Sequence, residues 1–273
     1  MKYYVVSDIH SFLTPLRAAL KEAGYFSDPE PHKLVVCGDI FDRGSEPLET
    51  EQFICRLLER DEVIIVRGNH EDLMLSLLED AEVFEGTSVI LHSHYAHNGT
   101  VRTLQRFTGA SNRDICERPA EIVAKMRKTE YIRTIIPAAR DWFETENYIF
   151  VHGWIPCREA NEMLDEPVPT FREWRKASRL DWECARWMDY VEVLKRGLPK
   201  PEKTVICGHR SASYGHDEFE KPVPTGKGKV TRSAGSKGNV EESHFRPFYG
   251  DGLIAIDACT VLSGVTNCIV IED

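Results

Sequence analysis

Five stretches of this chain set ligand-capable side chains directly after a short apolar run. Ser7-Asp8-Ile9-His10 follows Tyr3–Val6, and Gly38-Asp39-Ile40-Phe41-Asp42-Arg43-Gly44 follows Leu34–Cys37. Arg67-Gly68-Asn69-His70-Glu71 follows Val63–Val66, His152-Gly153 follows Tyr148–Val151, and Gly208-His209 follows Thr204–Cys207. One such residue is what a strand cap or a solvated turn needs. Recurrence at strand end after strand end asks for a chemical reason. Asp8, His10, Asp39, Asn69, His152 and His209 form a hard-to-borderline set of oxygen and imidazole donors without a thiolate. Such donors suit Mn²⁺, Fe²⁺ or Zn²⁺ rather than a soft metal. Six donors exceed what one tetrahedral ion uses, so the set implies two ions bridged by one carboxylate.

Residues so far apart meet only if the elements before them are aligned. Tyr3–Val6, Lys33–Cys37 and Val63–Val66 read as strands. Thr14-Pro15 reads as an N-cap and first helical position, opening a helix that ends near Gly24. Glu46–Arg60 reads as a helix with Phe53, Ile54, Leu57 and Leu58 on its apolar face, and another opens at Glu71 and runs to Leu78. Strands alternating with helices predict an α/β architecture with parallel neighbours. In such sheets ligands bind outside the carboxyl ends of the strands, which is where the six donors stand. Residues 98–146 read as mostly helical, broken at Gly109, Pro119 and Pro137. Strands resume at Tyr148–Val151, Thr204–Cys207, Leu253–Ile256 and Asn267–Ile271. The last of these lack intervening helices, so that half is expected to be antiparallel. The predicted fold is α/β: two mixed β-sheets packed face to face as a sandwich, helices outside, in a single domain over 1–273. Residues 215–248, with Lys221, Lys227, Lys229 and Lys237 and few apolar side chains, read as a loop or flap without a core.

The chain has 273 residues, 42% hydrophobic and 29% charged, which is ordinary for a soluble globular protein. A net charge of −10 argues against a general nucleic-acid binder. No apolar stretch has the length of a membrane span or a signal h-region. Of the eight cysteines, Cys37, Cys55, Cys207, Cys259 and Cys268 sit in apolar runs, and none has the paired spacing of a zinc site. They read as reduced core thiols in a cytoplasmic protein.

Asp8-x-His10, Gly38-Asp39-x-x-Asp42-Arg43-Gly44, Gly68-Asn69-His70-Glu71, His152 and Gly208-His209, in this order, resemble the phosphoprotein phosphatase type of calcineurin-like metallophosphoesterases. The resemblance is nearest to small bacterial and phage phosphatases and to symmetrical diadenosine tetraphosphate hydrolases. Asn98-Gly99-Thr100 is similar to an Asn-Gly-Gly in those enzymes, and Asp257-Ala258-Cys259 with Ser263-Gly264 to their closing segment. The likeness runs nearly end to end but has little anchor in 110–145 and 215–248. GDxxDRG followed by GNHE is a specific signal; a lone GH or HG gains meaning only from its place after a strand.

The resemblance implies that Asp8, His10 and Asp39 hold one ion and Asp39, Asn69, His152 and His209 the other, with Asp39 as the bridge. Two ions clamp a phosphoryl group and lower the pKa of a shared water, which attacks phosphorus in line. His70 would be the general acid, oriented by Asp42. Arg43 would grip two phosphate oxygens, its plainer alternative being an ion pair with Glu46 or Asp42. A second phosphate-binding arginine is expected between the last two histidines. Arg158, Arg172, Arg175, Arg179 and Arg186 lie there, and Arg186 is the choice. Glu71 reads as loop support, His92, His94 and His97 as solvated or substrate-facing, and Trp174, Trp182 and Trp187 as core or groove walls. Ser11 departs from the family's glycine, a change expected to cost little because serine is small, and Arg210 adds charge beside His209. The implied activity is dinuclear phosphoester hydrolysis. The leading substrates are phosphomonoesters on Ser, Thr or Tyr, with a nucleotide phosphoanhydride as the alternative. A non-catalytic scaffold would need a gap among these residues, and there is none.

Overall fold

The computed structural model describes residues 1–83, 88, 90–157, 173–197, 200–220 and 242–273. Strands β1 (Lys2–Val6), β2 (His32–Cys37) and β3 (Val63–Val66) are parallel neighbours. The second sheet holds β4 (Phe143–Glu144), β5 (Tyr148–Phe150), β6 (Thr204–Cys207), β7 (Phe248–Gly250) and β8 (Leu253–Ala255), in the order β4-β5-β6-β8-β7. The chain closes with β9 (Ile269–Glu272), antiparallel to β1, so the first sheet runs β3-β2-β1-β9.

Side-chain alternation along each strand builds the layers. Val5, Val35, Cys37 and Val66 point one way and meet Phe150, Ile206, Ile254 and Ile256 of the second sheet in one buried cluster. Tyr4, Val6, Leu34 and Val36 point the other way, into the helices Leu13–Glu22, Pro47–Glu59 and Asn69–Val83. Ile149, Val151, Val205 and Cys207 likewise meet Trp154, Trp174, Trp182 and Tyr190 on the outer face of the second sheet. Both faces of both sheets are covered, which is why their strands read as continuous apolar runs rather than alternating ones. The sandwich with outer helices matches the expectation from sequence.

The antiparallel second half does not. β5, β6 and β8 are parallel, with Val205 opposite Leu253 and Cys207 opposite Ala255. Antiparallel pairing is confined to the edge strands β4, β7 and β9. The connections from β5 to β6 and from β6 to β8 are long enough to cross back, and they carry helices such as Arg179–Ala185 and Ala212–Phe219. The parallel arrangement puts the ends of β5, β6 and β8 on one edge. Of the segment 215–248 expected as a flap, residues 215–219 continue a helix, 242–245 form a 3₁₀ turn and 248–250 are β7. Its centre, 221–241, lies outside the described residues.

The first helix also starts differently. It spans Leu13–Glu22, and Thr14 spends its N–H and hydroxyl on the carboxylate of Glu46 instead of capping. Among the described residues, no helix is long and apolar enough to cross a membrane.

The sheet-to-sheet cluster sets the stability of this frame. Phe150 is fully buried there and stacks on Phe143 at 5.3 Å. Phe150→Ala is expected to cost about 3–5 kcal/mol in urea unfolding. Tyr249→Ala, at an exposed position of β7, should stay within about 0.5 kcal/mol. A Phe150 variant as stable as the Tyr249 variant would contradict the packing described.

Candidate active site

Backbone hydrogen bonds lace the end of β1 to that of β2 and the end of β5 to that of β6, and the His70 N–H after β3 donates to the Asp39 side chain. Asp8 N–H donates to Gly38 O, His10 N–H to Asp39 O, Gly44 N–H to His10 O, and Gly208 N–H to His152 O. The turns are tight. Apart from Asp61, every described non-glycine residue with positive φ lies here: Asp8, His10, Ser11, Asp39, Asp42, Arg43, His209 and Cys259. A left-handed residue other than glycine costs roughly 1–2 kcal/mol, and such strain collects where function needs a fixed geometry. Ser11 adopts this conformation at φ +58°, so serine carries that cost here, more than its small size leads one to expect.

Three glycines let functional side chains lie against bare backbone. A Cβ on Gly68 would stand 2.2 Å from Asp39 Oδ1, one on Gly208 2.1 Å from Asp8 Oδ2, and one on Gly38 2.5 Å from His152 Nδ1. The buried carboxylate of Glu71 braces the same turns. It accepts the N–H groups of Asp39 and Gly68 on Oε2 and of Ile40 on Oε1, which is the loop support expected of it.

The donors converge. Asp39 Oδ2 is 3.6 Å from His10 Nε2 and 3.7 Å from His70 Nε2, while its Oδ1 is 3.3 Å from His152 Nε2. Asn69 Oδ1 lies 2.8 Å from His152 Nε2 and 3.0 Å from His209 Nδ1. Two groups able to hold a metal ion result, His10–Asp39–His70 and Asp39–His152–His209, with Asp39 common to both. His10 and His152 each direct Nδ1 at a backbone carbonyl, of Phe41 and Cys37, at 2.8 Å. That nitrogen then carries a proton and turns Nε2 into the site, the ring orientation of a metal-binding imidazole. Burial would lower His152, but Asp39 outweighs it and raises it to about 10, so its Nε2 gives up a proton when it binds a cation. Donor chemistry, ring orientation and the sharing of Asp39 all fit a pair of divalent cations. Asp8 stands at the rim of this arrangement. Its Oδ2 accepts the His209 N–H at 3.0 Å, and it lies outside both groups, where His70 takes the place expected for it.

Burial and electrostatics oppose one another at each ionisable group. Burial would raise Asp39, but the imidazoles of His152, His70 and His10 outweigh it and hold the carboxyl well below its usual range. Burial and the nearby Asp257 push Asp8 well above. Burial would lower His70, yet Asp39 and Asp42 win and raise it, which favours the protonated form an acid needs.

His70 Nδ1 is 2.7 Å from Asp42 Oδ2, the pairing expected from sequence. Arg43 reaches in from the surface, with Nη1 3.1 Å from His10 Nε2 and Nη2 3.1 Å from His70 Nε2. The alternative ion pairs for Arg43 are not made: Glu46 is engaged by Thr14, and Asp42 Oδ2 by His70 and Thr100.

The Arg186 guanidinium, expected to grip phosphate, is buried and donates from Nε to Asp72 at 2.6 Å and from Nη1 to Asp141 at 2.8 Å, while its Nη2 has no hydrogen-bond partner among the described residues. Arg175 pairs with Glu144 and Arg179 with Glu183. Arg158 and Arg172 lie outside the described residues. Arg210, next to His209, has Nε 3.0 Å from Asp189 and its guanidinium 3.6 Å from the Tyr214 ring centroid.

Trp174 and Trp182 are core residues, whereas half-exposed Trp187 stands edge-on to His209 at 5.8 Å. Trp187 also walls a cavity of about 150 Å³ that opens on Asn69 and Asp72. His92, His94 and His97 are exposed and belong to neither donor group.

The strand-end pattern extends to a further residue of the site. Asp257 follows the β8 run Leu253–Ile256, just as Asp8 and Asp39 follow theirs, and that repetition was the available signal. It is buried, accepts the Cys259 N–H at 2.6 Å, and burial pushes it up to about 6.

Comparison with known proteins agrees with this geometry. The chain is 39% identical over 77 residues to the symmetrical bis(5'-nucleosyl)-tetraphosphatase of Marinomonas sp. (strain MWYL1), covering 28% of this chain and 26% of that protein. It is 28% identical over 158 residues to the symmetrical bis(5'-nucleosyl)-tetraphosphatase of Pseudomonas fluorescens (strain SBW25), covering 57% of this chain and 44% of that protein. The chain thus spans between about a quarter and under half the length of these two curated relatives. A cold-active protein tyrosine phosphatase shares the fold at a TM-score of 0.51 and 16% identity, over 99% of this chain and 73% of that one. The calcineurin-like phosphoesterase profile matches residues 1–225, which takes in every strand end from Asp8 to His209. By that match and by the ring of donors that its motifs assemble, the chain belongs to the calcineurin-like phosphoesterase family.

Proposed function

We propose that this protein hydrolyses phosphate monoesters, on Ser, Thr or Tyr side chains or their analogues, using two divalent cations with Mn²⁺ as the working metal. One observation carries the reading: the buried carboxylate of Asp39 turns one oxygen to His10 and His70 and the other to His152. Asp8, His10 and Asp39 would hold one ion, and Asp39, Asn69, His152 and His209 the other. When bound, the two ions supply charge stabilisation for the phosphoryl oxygens and acidify a shared water. The residues of the chain do the rest. The exposed fork of Arg43 binds two phosphate oxygens and sets the phosphorus in line. His70 would deliver a proton from Nε2 to the leaving oxygen once Arg43, whose Nη2 donates to that nitrogen at 3.1 Å here, turns to the phosphate. Asp42 accepts from Nδ1–H, which fixes the ring and stabilises its cationic form.

A second reading, cleavage of a dinucleotide phosphoanhydride, has its own support in the names of the curated relatives. The clamp is the same and only the leaving group differs. A panel separates them: p-nitrophenyl phosphate, a phosphoserine and a phosphotyrosine peptide, and diadenosine tetraphosphate, each at fixed Mn²⁺ with and without chelator. Turnover of the monoesters, lost on chelation and restored by Mn²⁺, is the expected result. A kcat/KM at least about tenfold higher for diadenosine tetraphosphate, about 1.4 kcal/mol of transition-state preference, would transfer the assignment to the second reading. A folded, metal-loaded sample that turns over none of them would refute both.

A further inference from the structure

We propose that Thr100 is a positioning residue for the acid pair Asp42–His70, which anchors that pair on the helix Thr100–Thr108. The inference rests on the hydrolase reading for its catalytic consequence, but its geometry stands independently. Thr100 is fully buried, and its Oγ1 donates to Asp42 Oδ2 at 2.7 Å. The same oxygen faces His70 Nδ1 at 2.7 Å. Both donors converge on one carboxylate oxygen, while the other, Asp42 Oδ1, is buried without a hydrogen-bond partner among the described residues. The orientation of the Asp42 carboxyl therefore depends on a single oxygen held from two sides. His70 cannot supply both holds, because its ring turns with whatever accepts from Nδ1. Thr100 is the fixed one.

The local fold explains how the hydroxyl comes to be there. Gly99, at φ +91°, ends the helix His94–Asn98 and starts the helix Thr100–Thr108. A Cβ on Gly99 would lie 2.7 Å from Arg43 N, so the turn is pressed directly against the Asp42-Arg43 segment. Asp42 and Arg43 are themselves left-handed, at φ +73° and +59°. Backbone strain thus sets where the Asp42 side chain starts, and Thr100 sets where it ends. A helical residue carries its side chain on a rigid element, which is a better reference for an acid than a loop.

Thr100→Val preserves shape and removes the hydroxyl; Thr100→Ser keeps the hydroxyl. Partners of this kind, one step removed from the reacting groups, change activity by about 10–100-fold. In the Mn²⁺-loaded protein, Thr100→Val is expected to lower kcat about tenfold for an alkyl phosphomonoester and clearly less for p-nitrophenyl phosphate, with KM and metal content unchanged. Thr100→Ser should restore kcat to within about twofold. Wild-type kcat in Thr100→Val, an equal loss on both substrates, or no restoration by serine would overturn the proposal. A second measurement does not need turnover. The His70 Nδ1–H proton in a short bond to Asp42 gives a far-downfield NMR resonance, recorded on chelated protein and assigned by its absence in His70→Asn. It should persist in Thr100→Ser and broaden or vanish in Thr100→Val. An unchanged resonance in Thr100→Val refutes the positioning role even if the protein hydrolyses none of the substrates, whereas absence of turnover with the expected NMR change refutes only the hydrolase reading.

Discussion

Asp39→Asn will leave the protein folded and nearly inactive, with kcat/KM down about 10³-fold or more and fewer than two ions retained per chain after dialysis. The argument starts from charge. Asp39 is fully buried, and the imidazoles of His10, His70 and His152 surround it. It is the sole member of both donor groups. Asparagine keeps the shape, so it keeps the acceptor that Oδ1 offers to the His70 N–H at 3.0 Å. What it removes is the negative charge that both cations would share, and it turns one bridging oxygen into an amide nitrogen that cannot coordinate. A metal's charge stabilisation is worth several kcal/mol, and 1.36 kcal/mol is one decade of rate. Loss of one ion alone accounts for three decades. Metal analysis on dialysed protein, beside kcat/KM at saturating Mn²⁺, checks it. Two ions per chain and activity within tenfold of wild type would show that Asp39 is not the bridge. A comparable loss from Glu71→Gln would not imitate this result, because Glu71 binds backbone N–H groups and turns no oxygen to a donor histidine.

The frame that brings these residues together was legible in the sequence because burial wrote it twice. Strands covered on both faces leave continuous apolar runs, and the abrupt change to Asp, Asn or His marks where each run leaves the core. That is how the six donors were found, together with Asp42 and His70. What could not be read depends on contacts between segments far apart in the chain. Whether β8 runs parallel or antiparallel to β6 is decided by the route of the connection, which apolar periodicity does not encode. Arg186 is similar: in sequence an arginine beside tryptophans near the last histidine has the right chemistry for phosphate. Only the fold brings Asp72 and Asp141, 114 and 45 residues away, onto its guanidinium. Thr100 stood in the sequence only as the end of the Asn98-Gly99-Thr100 resemblance, not as a donor to a residue 58 positions earlier. Asp257 is the opposite case, since the strand-end rule that identified Asp8 and Asp39 applies to it unchanged.

The same geometry that supports His70 as the acid also offers a rival role for it, and His70→Asn decides between them. His70 Nε2 is 3.7 Å from Asp39 Oδ2, close enough to join His10 and Asp39 in a metal group. Its Nδ1, however, is spent on Asp42 at 2.7 Å, and Asp39 and Asp42 raise its pKa against the effect of burial. Asp8, His10 and Asp39 on one side, and Asp39, Asn69, His152 and His209 on the other, already offer the donors that two ions need, which leaves His70 Nε2 for the leaving oxygen. His70→Asn is therefore expected to keep both ions. For an alkyl phosphomonoester, whose alkoxide cannot leave unprotonated, kcat should fall about 10²–10⁴-fold. For p-nitrophenyl phosphate, whose leaving group departs as a stable anion, the loss should be at least about tenfold smaller, a difference of about 1.4 kcal/mol between the two barriers. Loss of one ion in the variant, with equal damage to both substrates, would instead make His70 a ligand in the position expected for Asp8. The proton for the leaving group would then have to come from a different residue.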